Sequence, residues 1–554
     1  MNNEENSKRW HEIDWKEAYE QVEKLQDCLA QAATQGDRKA IYNIQRTLIT
    51  SFSARAIATR KVVTNSGGKT AGVDKIILEN PAQYYYMITE LKNIVNKPKQ
   101  YKSSPLRRVL IPKPNGEKRP LGIPTIIDRT VQALYHLAVD PVVETNSDPN
   151  SFGFRKGRST HDAIAHFRNY MNKKVSPRWV LEADISKCFD KISHEFLLRH
   201  TIICHKEVLK QWLKSGVMEK GKYHNTEEGT PQGGIISPTL CNIALNGLEG
   251  DILKDFIKSR KTNNAKIKII RYADDVVITG KNPEVLEQCK QKMEEFIAER
   301  GLKLNQLKTR ITEIGYGIDL LGFNMVRKSW RSQFNRKSYQ GDVLLTRPSE
   351  KGIKKIKDKI KNTFEKAKDM TEIIKTLNPI IRGWTEHKRI SWHSARIFQN
   401  LNKYIWGRIR ARFVRSKTGI TSQRENYINI KSKLGWIDKQ GRTLTDPAKI
   451  ITRKYRLKRT DLNPYLIENR WYFDEIKDMK VLGAIKEKLY KKYKHKCAVC
   501  NQSLLGPEKV EIHHIKAKKD GGTNTLRNLM PLHRICHIKI THNKNFKTIK
   551  EMIK

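Results

Sequence analysis

The sequence predicts a multidomain α+β protein, and three observations carry that prediction. Its 554 residues exceed what a single hydrophobic core usually organises. Short β-branched strands alternate with helical stretches from about residue 105 to about 325. Beyond about 345 the pattern changes to a lysine-rich amphipathic stretch, and a compact Cys/His cluster closes the chain.

Charge narrows the partners. Lys and Arg number 107 against 58 Asp and Glu, a net +49, which attracts a polyanion and above all nucleic acid. No apolar run approaches the roughly 20 residues needed to span a bilayer, so no membrane partner is expected. The opening "MNNEENSKRWHEIDW" is acidic and lacks an apolar h-region. Neither a signal nor a transit peptide is therefore read there, and the expected location is cytoplasmic, nucleoid-associated in a bacterium. Cys28, Cys188, Cys204, Cys241 and Cys289 are scattered, as in a reducing compartment, whereas Cys497, Cys500 and Cys536 gather beside histidines.

Residues 10–60 read as helical, with Leu25, Leu29, Ile41, Ile44 and Leu48 at helical intervals. "NSGGKTAGVD" then punctuates the chain. "RRVLIPKPNGEKRPLGIPTIIDR" predicts a basic hairpin around Asn115-Gly116, and Lys113 and Arg119 on either side of the turn could hold a triphosphate. "WVLEADISKCFDKI" is an apolar strand ending at Asp184. In "GTPQGGIISPTLCNIAL", Gly229, Gly233 and Gly234 permit close backbone approach, and Ser237-Pro238 resembles an N-cap and first-turn pair.

"IIRYADDVVITG" reads as two strands joined by a tight turn that exposes Asp274 and Asp275. Carboxylates about 4 Å apart repel by roughly 4 kcal/mol at an effective dielectric near 20, so something should offset that cost. If Asp184 meets them at adjacent strand ends, the three form a hard oxygen pocket suited to Mg2+. Such ions can activate a 3′-hydroxyl and stabilise a leaving pyrophosphate, which is polymerase chemistry.

In "GIKKIKDKIKNTFEKAKDM", Ile353, Ile356, Ile360 and Phe364 mark one apolar face among lysines, a face that serves core packing or RNA contact. Trp384, Trp392, Trp406 and Trp436 interleave with Arg and Lys thereafter, and most are expected in the core. Near the end, Cys497-x-x-Cys500 and His533-x-x-Cys536 have the spacing of a closed structural zinc site. Zinc would supply much of the folding free energy of so small a module. "EIHHI" leaves His513 and His514 outside that ligand set.

The ordered pieces "TAGVD", "IPKPNGEKRPLGIPT", "SFGFRKGRSTHDAI", "ADISKCFD", "GTPQGGIISP", "YADD", "GLKLNQLKT" and "LLGFNM" resemble the reverse transcriptase of group II intron-encoded proteins across nearly the whole chain. The resemblance implies a right-hand polymerase in which Asp184, Asp274 and Asp275 hold the catalytic Mg2+. Phe189 would screen the sugar 2′ position, Gln232 would sit in the nucleotide pocket, and Lys308 belongs to the motif after the catalytic hairpin. "TLNPIIRGWTEHKRI" resembles the maturase segment. The last module resembles an HNH endonuclease, a ββα-metal fold. There His514 would be the general base, His513 and His537 would hold one divalent ion, and Asn528 would orient the base. Many such modules have a second C-x-x-C where this chain has H-x-x-C.

The expected organisation is an N-terminal helical extension (1–60), fingers and palm (61–345), a helical thumb/maturase domain (346–454), a DNA-binding linker (455–490) and a zinc-stabilised HNH domain (491–554). The expected partners are intron RNA, target double-stranded DNA and dNTPs, and a homodimer is compatible with the reading. Two rivals are a splicing cofactor with idle catalytic sites and a reverse transcriptase recruited to defence.

Overall fold

The computed structural model describes the chain apart from residues 1–2, 113–115, 174, 257–262, 331–340, 392, 415–426, 431–432, 437, 439–441, 454, 478–483, 503, 505–509, 518–522, 524, 535, 538–539 and 541–554. Five helices open it: α1 (Asn3–Glu12), α2 (Trp15–Gln35), α3 (Arg38–Thr50), α4 (Phe52–Thr64) and α5 (Pro81–Asn96). Their boundaries are local chemistry. Asp14, Asp37, Ser51 and Asn80 each accept a hydrogen bond from a first-turn N–H, and Gly36 ends α2 at φ +72°. α2, α3, α4 and α5 pack on α6 (Ile126–Thr145), which is buried on most of its surface, while α1 packs on α5.

The central sheet has strand order β6-β7-β3-β8, formed by β3 (Trp179–Asp184), β6 (Lys268–Tyr272), β7 (Asp275–Gly280) and β8 (Arg310–Glu313). It is antiparallel throughout. One face packs on the helical core and the other on α7 (Thr160–Met171), with Leu181 and Ile278 on the first side and Val180 and Val277 on the second. A second sheet pairs β1 (Leu106–Pro112) with β2 (Lys118–Ile123), and β4 (Val217–Glu219) with β5 (Lys222–His224). The hairpin predicted around Asn115-Gly116 is thus present in its strands, while Lys113 and Asn115 lie outside the described residues.

Short helices connect the strands: α8 (Cys188–Lys191), α9 (His194–His200), α10 (Lys206–Leu213), α11 (Ser237–Leu245), α12 (Leu248–Phe256) and α13 (Pro283–Ala298). One expectation needs correcting. Ile236, not Ser237, is the N-cap of α11; Ser237 is already the first helical residue and its buried hydroxyl caps nothing. Pro238 keeps its first-turn place. The next three strands, β9 (Ile318–Leu320), β10 (Phe323–Trp330) and β11 (Gly341–Pro348), form a sheet leading out of the central domain.

α14 (Glu350–Lys366), α15 (Met370–Lys388) and α16 (Ser394–Val414) follow as a separate helical unit. Its core brings Ile356, Ile360 and Phe364 against Ile374, Leu377 and Ile405, so the apolar stripe read in the sequence is a packing face. The lysines of α14 occupy the opposite face. Trp436 is buried with its ring 5.5 Å from Trp406, and Trp384 meets Phe398 at 5.9 Å. These three tryptophans are packed; Trp392 is outside the described residues.

The segment expected as a linker is a packed strap over its first part. Lys458 Nζ lies 3.1 Å from buried Asp162, and Tyr455 Oη donates to the same carboxylate at 2.9 Å. Arg158 donates to the carbonyls of Arg459 and Leu462 at 2.7 and 2.8 Å, and Tyr465 Oη donates to Asp140. The strap therefore lies across the back of the "SFGFRKGRST" segment. A last hairpin, β14 (Val510–His514) with β15 (Leu529–His533), belongs to the C-terminal module, and the pair β12 (Tyr427–Ile430) and β13 (Lys433–Trp436) lies before the strap.

Candidate active sites

Strand register brings the three aspartates together. Asp184, the last residue of β3, pairs directly with Asp275, the first residue of β7. Tyr272 pairs with Asp275 across the β6–β7 hairpin, leaving Ala273 and Asp274 as its turn, with Ala273 at φ +58°. Directly opposed like charges destabilise a sheet. Burial, then the neighbouring Asp274 and Asp184, push the Asp275 carboxyl up to about 6. Burial and, more weakly, Asp184 also raise Asp274, while Arg119 and Lys308 pull it back. Lys308 Nζ lies 3.1 Å from Asp184 Oδ2, a partial countercharge.

The rest of the motifs hold this edge in place. The loop 303–309 wraps Asp184: Asn305 N donates to the Asp184 carbonyl at 2.8 Å, and Ser186 N to the Lys303 carbonyl at 2.9 Å. Buried Arg271 fixes the hairpin from behind, donating to Asn242 Oδ1 at 3.1 Å and Asn246 Oδ1 at 2.9 Å. The "SFGF" segment lies on the turn, with Phe152 N donating to the Arg271 carbonyl at 2.9 Å and Asn242 Nδ2 to the Gly153 carbonyl at 2.9 Å. A Cβ on Gly153 would fall onto Ala273 N and come within 2.9 Å of Tyr272 C. Gly153→Ala should therefore move the Asp274 turn. A misplacement of about 1 Å costs about 100-fold in rate, so primer extension should fall about that far while zinc content stays at the parent's level.

The nucleotide-side residues converge too. Gln232 Nε2 donates to Asp190 at 3.2 Å, and Thr230 N donates to the Phe189 carbonyl at 2.6 Å. Gly229, at φ +82°, passes so close that a Cβ would sit 2.6 Å from Asp190 C. Phe189 is half-buried, its ring 6.0 Å from that of exposed Phe154. Burial raises the Asp190 carboxyl, against Gln232 and then the cations Arg108, Lys187 and Arg119. The Arg119 charge of β2 thus acts on both Asp190 and Asp274, lowering each carboxyl.

The raised Asp275 carboxyl has a measurable consequence. As pH rises, the unfolded chain releases this proton first, so the folded state loses stability between about pH 4 and 6 and stays penalised above. Asp275 is exposed as a residue, and solvent softens the effect. Asp275→Asn should melt higher than the parent in metal-free buffer at pH 8, by on the order of 2 °C. The gap should close at pH 4 and narrow when Mg2+ is added; thermal melts at the two pH values check it.

In the C-terminal module, Cys497, Cys500, His533 and Cys536 are all buried, with ligand atoms all within 4.8 Å of one another. Cys500 Sγ and His533 Nδ1 are 3.3 Å apart. His533 thus completes a Cys3His set, and three sulfurs with one imidazole suit a tetrahedral soft-metal site. A second cluster stands on β14. His513 and His537 have ring centroids 5.1 Å apart, and Glu511 Oε2 accepts from His537 Nδ1 at 2.9 Å. Burial first, then His537 and His514, lower the His513 imidazole. Asn528 hydrogen-bonds the backbone of Lys516 through both side-chain atoms, at 2.7 and 3.0 Å, closing the loop next to the His514–Leu529 pair. Sequence reasoning passed over Glu511, although it lies two residues before His513 on the same strand face. It also passed over Arg271 and Asp190, whose partners are distant in sequence.

Four family models match the chain: the N-terminal domain of reverse transcriptase over residues 10–91, reverse transcriptase (RNA-dependent DNA polymerase) over 111–325, the group II intron maturase-specific domain over 353–425, and HNH endonuclease over 497–543. Protein YkfC of Escherichia coli is 32% identical over 342 residues, covering 55% of this chain and 87% of YkfC. The COX1/OXI3 intron 1 protein of Saccharomyces cerevisiae is 26% identical over 591 residues, covering 89% of this chain and 68% of that one. Group II intron-encoded protein LtrA of Lactococcus lactis subsp. cremoris is 28% identical over 366 residues, covering 54% of this chain and 60% of LtrA. The chain belongs to the group II intron-encoded reverse transcriptases and maturases that carry an HNH endonuclease domain.

Proposed function

We propose that this enzyme couples its two activities on one substrate, nicking target double-stranded DNA and extending the exposed 3′ end on intron RNA with dNTPs. The observation that carries the polymerase half is the pairing of Asp184 with Asp275 beside the Asp274 turn. Three crowded carboxylates, two of them, Asp274 and Asp275, raised first by burial and then by their acidic neighbours, are a donor set in want of a cation. Bound there, Mg2+ would activate the 3′-hydroxyl and stabilise the leaving pyrophosphate. Phe189 and Gln232 would shape the pocket for the incoming nucleotide, Arg119 with Lys113 would hold its triphosphate, and Lys308 would balance charge at Asp184.

In the nuclease half, His513 and His537 would hold one divalent ion, with Glu511 fixing the His537 ring through Nδ1. His514 would take the proton from the attacking water at a ring nitrogen, and Asn528 would keep the adjacent loop closed. The Cys3His set would hold structural zinc. The helical unit α14–α16 would act as thumb and maturase surface, its lysine face meeting RNA phosphates. The strap and the residues that follow would contact target DNA. No helix among the described residues is long and apolar enough to cross a membrane.

The test is the RNA that co-purifies with the full chain. Sequencing should recover a structured intron RNA enriched over bulk RNA, with binding weakened steeply by salt. RNA with no intron-like species would contradict the proposal.

A further inference from the structure

The N-terminal helices and the Cys3His module share one apolar cluster, in which Trp10, Trp15 and Ile88 meet Tyr490, Leu532 and Cys536. At its centre lies a cation. Arg60 of α4 is 0% exposed, with its guanidinium carbon 4.5 Å from the Trp15 ring centroid and 5.8 Å from that of Tyr19. Its Nη2 points at Cys536 Sγ, 3.8 Å away and 476 positions later in the chain. Gln502 Nε2 adds a polar stitch, donating to the Lys16 carbonyl at 3.4 Å.

Burying a guanidinium is costly unless an opposing charge accompanies it. A divalent ion held by three thiolates and a neutral imidazole leaves one net negative charge in the cluster. An N–H donor aimed at one of those sulfurs is an outer-sphere partner of the kind that tunes metal affinity. The donor here comes from another part of the fold: α4 packs on α6, in the same core as the central sheet.

We propose that Arg60 is a positioning residue that links metal occupancy of the Cys3His site to docking of the nuclease module on the N-terminal helices. With the metal bound, the thiolate charge and the guanidinium stabilise each other, and the module is held in fixed relation to the polymerase edge. With the metal removed, the guanidinium loses the charge of the thiolate cluster beside it, and docking of the module weakens. The inference rests on the reading of Cys497, Cys500, His533 and Cys536 as a zinc site.

The test uses the full chain with Arg60→Met and Arg60→Lys. The parent should contain about one zinc per chain, and Arg60→Met should release it to a chelator about 10–100-fold faster. Arg60→Lys should restore part of the difference. After cobalt substitution, Arg60→Met should shift the thiolate-to-cobalt charge-transfer band, a signature that a packing defect at the interface would not produce. Small-angle scattering should show expansion in Arg60→Met and in the chelated parent, with primer extension on RNA unchanged in Arg60→Met. Equal release rates with identical cobalt spectra would overturn the inference. A parent lacking zinc would overturn the metal-site reading beneath it. Should Arg60→Met fail to fold, Trp15→Ala removes the ring the guanidinium rests on, and unchanged zinc release in that variant would equally overturn it.

Discussion

Asp274→Asn combined with Asp275→Asn is expected to lower RNA-templated primer extension by at least about 10^3-fold, the rate equivalent of roughly 4 kcal/mol of lost transition-state stabilisation. Asparagine keeps the volume of aspartate at the strand end and the turn, so the β6–β7 hairpin and its pairing with β3 should survive. It also removes two carboxyls that burial first, and then mutual repulsion, raise. The double variant should therefore melt no lower than the parent in the absence of metal, which separates lost chemistry from lost folding. Nicking of duplex DNA should stay intact. Extension retained at more than about a tenth of the parent rate would mean that catalysis does not depend on this carboxylate edge.

His514→Ala is expected to lower duplex nicking by at least about 100-fold, the lower range for loss of a general base, while primer extension and zinc content hold. Glu511→Gln should cost less, because it weakens only the hydrogen bond that orients His537. The ordering of the two variants distinguishes a proton-transfer role from an orienting one. If His514→Ala still nicks at the parent rate, the base lies elsewhere on the hairpin.

The parts of this molecule that were legible in the sequence are those where chemistry is local. The β6–β7 turn follows from two adjacent aspartates inside alternating β-branched residues, and the α14 stripe from apolar residues at helical spacing. The Cys3His set follows from two short spacings about 30 residues apart, and the structure gives His533 the fourth place. Convergence of Asp184 with the other two aspartates was a conditional expectation, since nothing local specifies strand order; the antiparallel pairing of β3 with β7 meets that condition.

What escaped has two causes, distant partners and a helix boundary shifted by one residue. Lys458 and Asp162 are 296 positions apart, so nothing in the basic segment expected as a DNA-binding linker shows that its first part straps the central domain. Arg271 looks like an ordinary strand residue until Asn242 and Asn246 are brought under it. Ser237 has the chemistry of a cap but sits one position too late, because the turn before α11 places Ile236 at the boundary. In the first two cases the partner that decides the role comes from a distant element, and a single sequence does not display that pairing.

In the proposed coupling, one chain cuts DNA and copies RNA from the cut. The most direct measurement incubates the full chain with its co-purified RNA, an end-labelled target duplex, dNTPs and Mg2+, and follows the labelled strand. The expected result is a nicked strand that becomes longer, with added sequence complementary to the RNA, and no lengthening in the Asp274→Asn, Asp275→Asn variant. A labelled strand that is cut but never extended by the parent, under conditions where the parent extends an annealed primer, would contradict it.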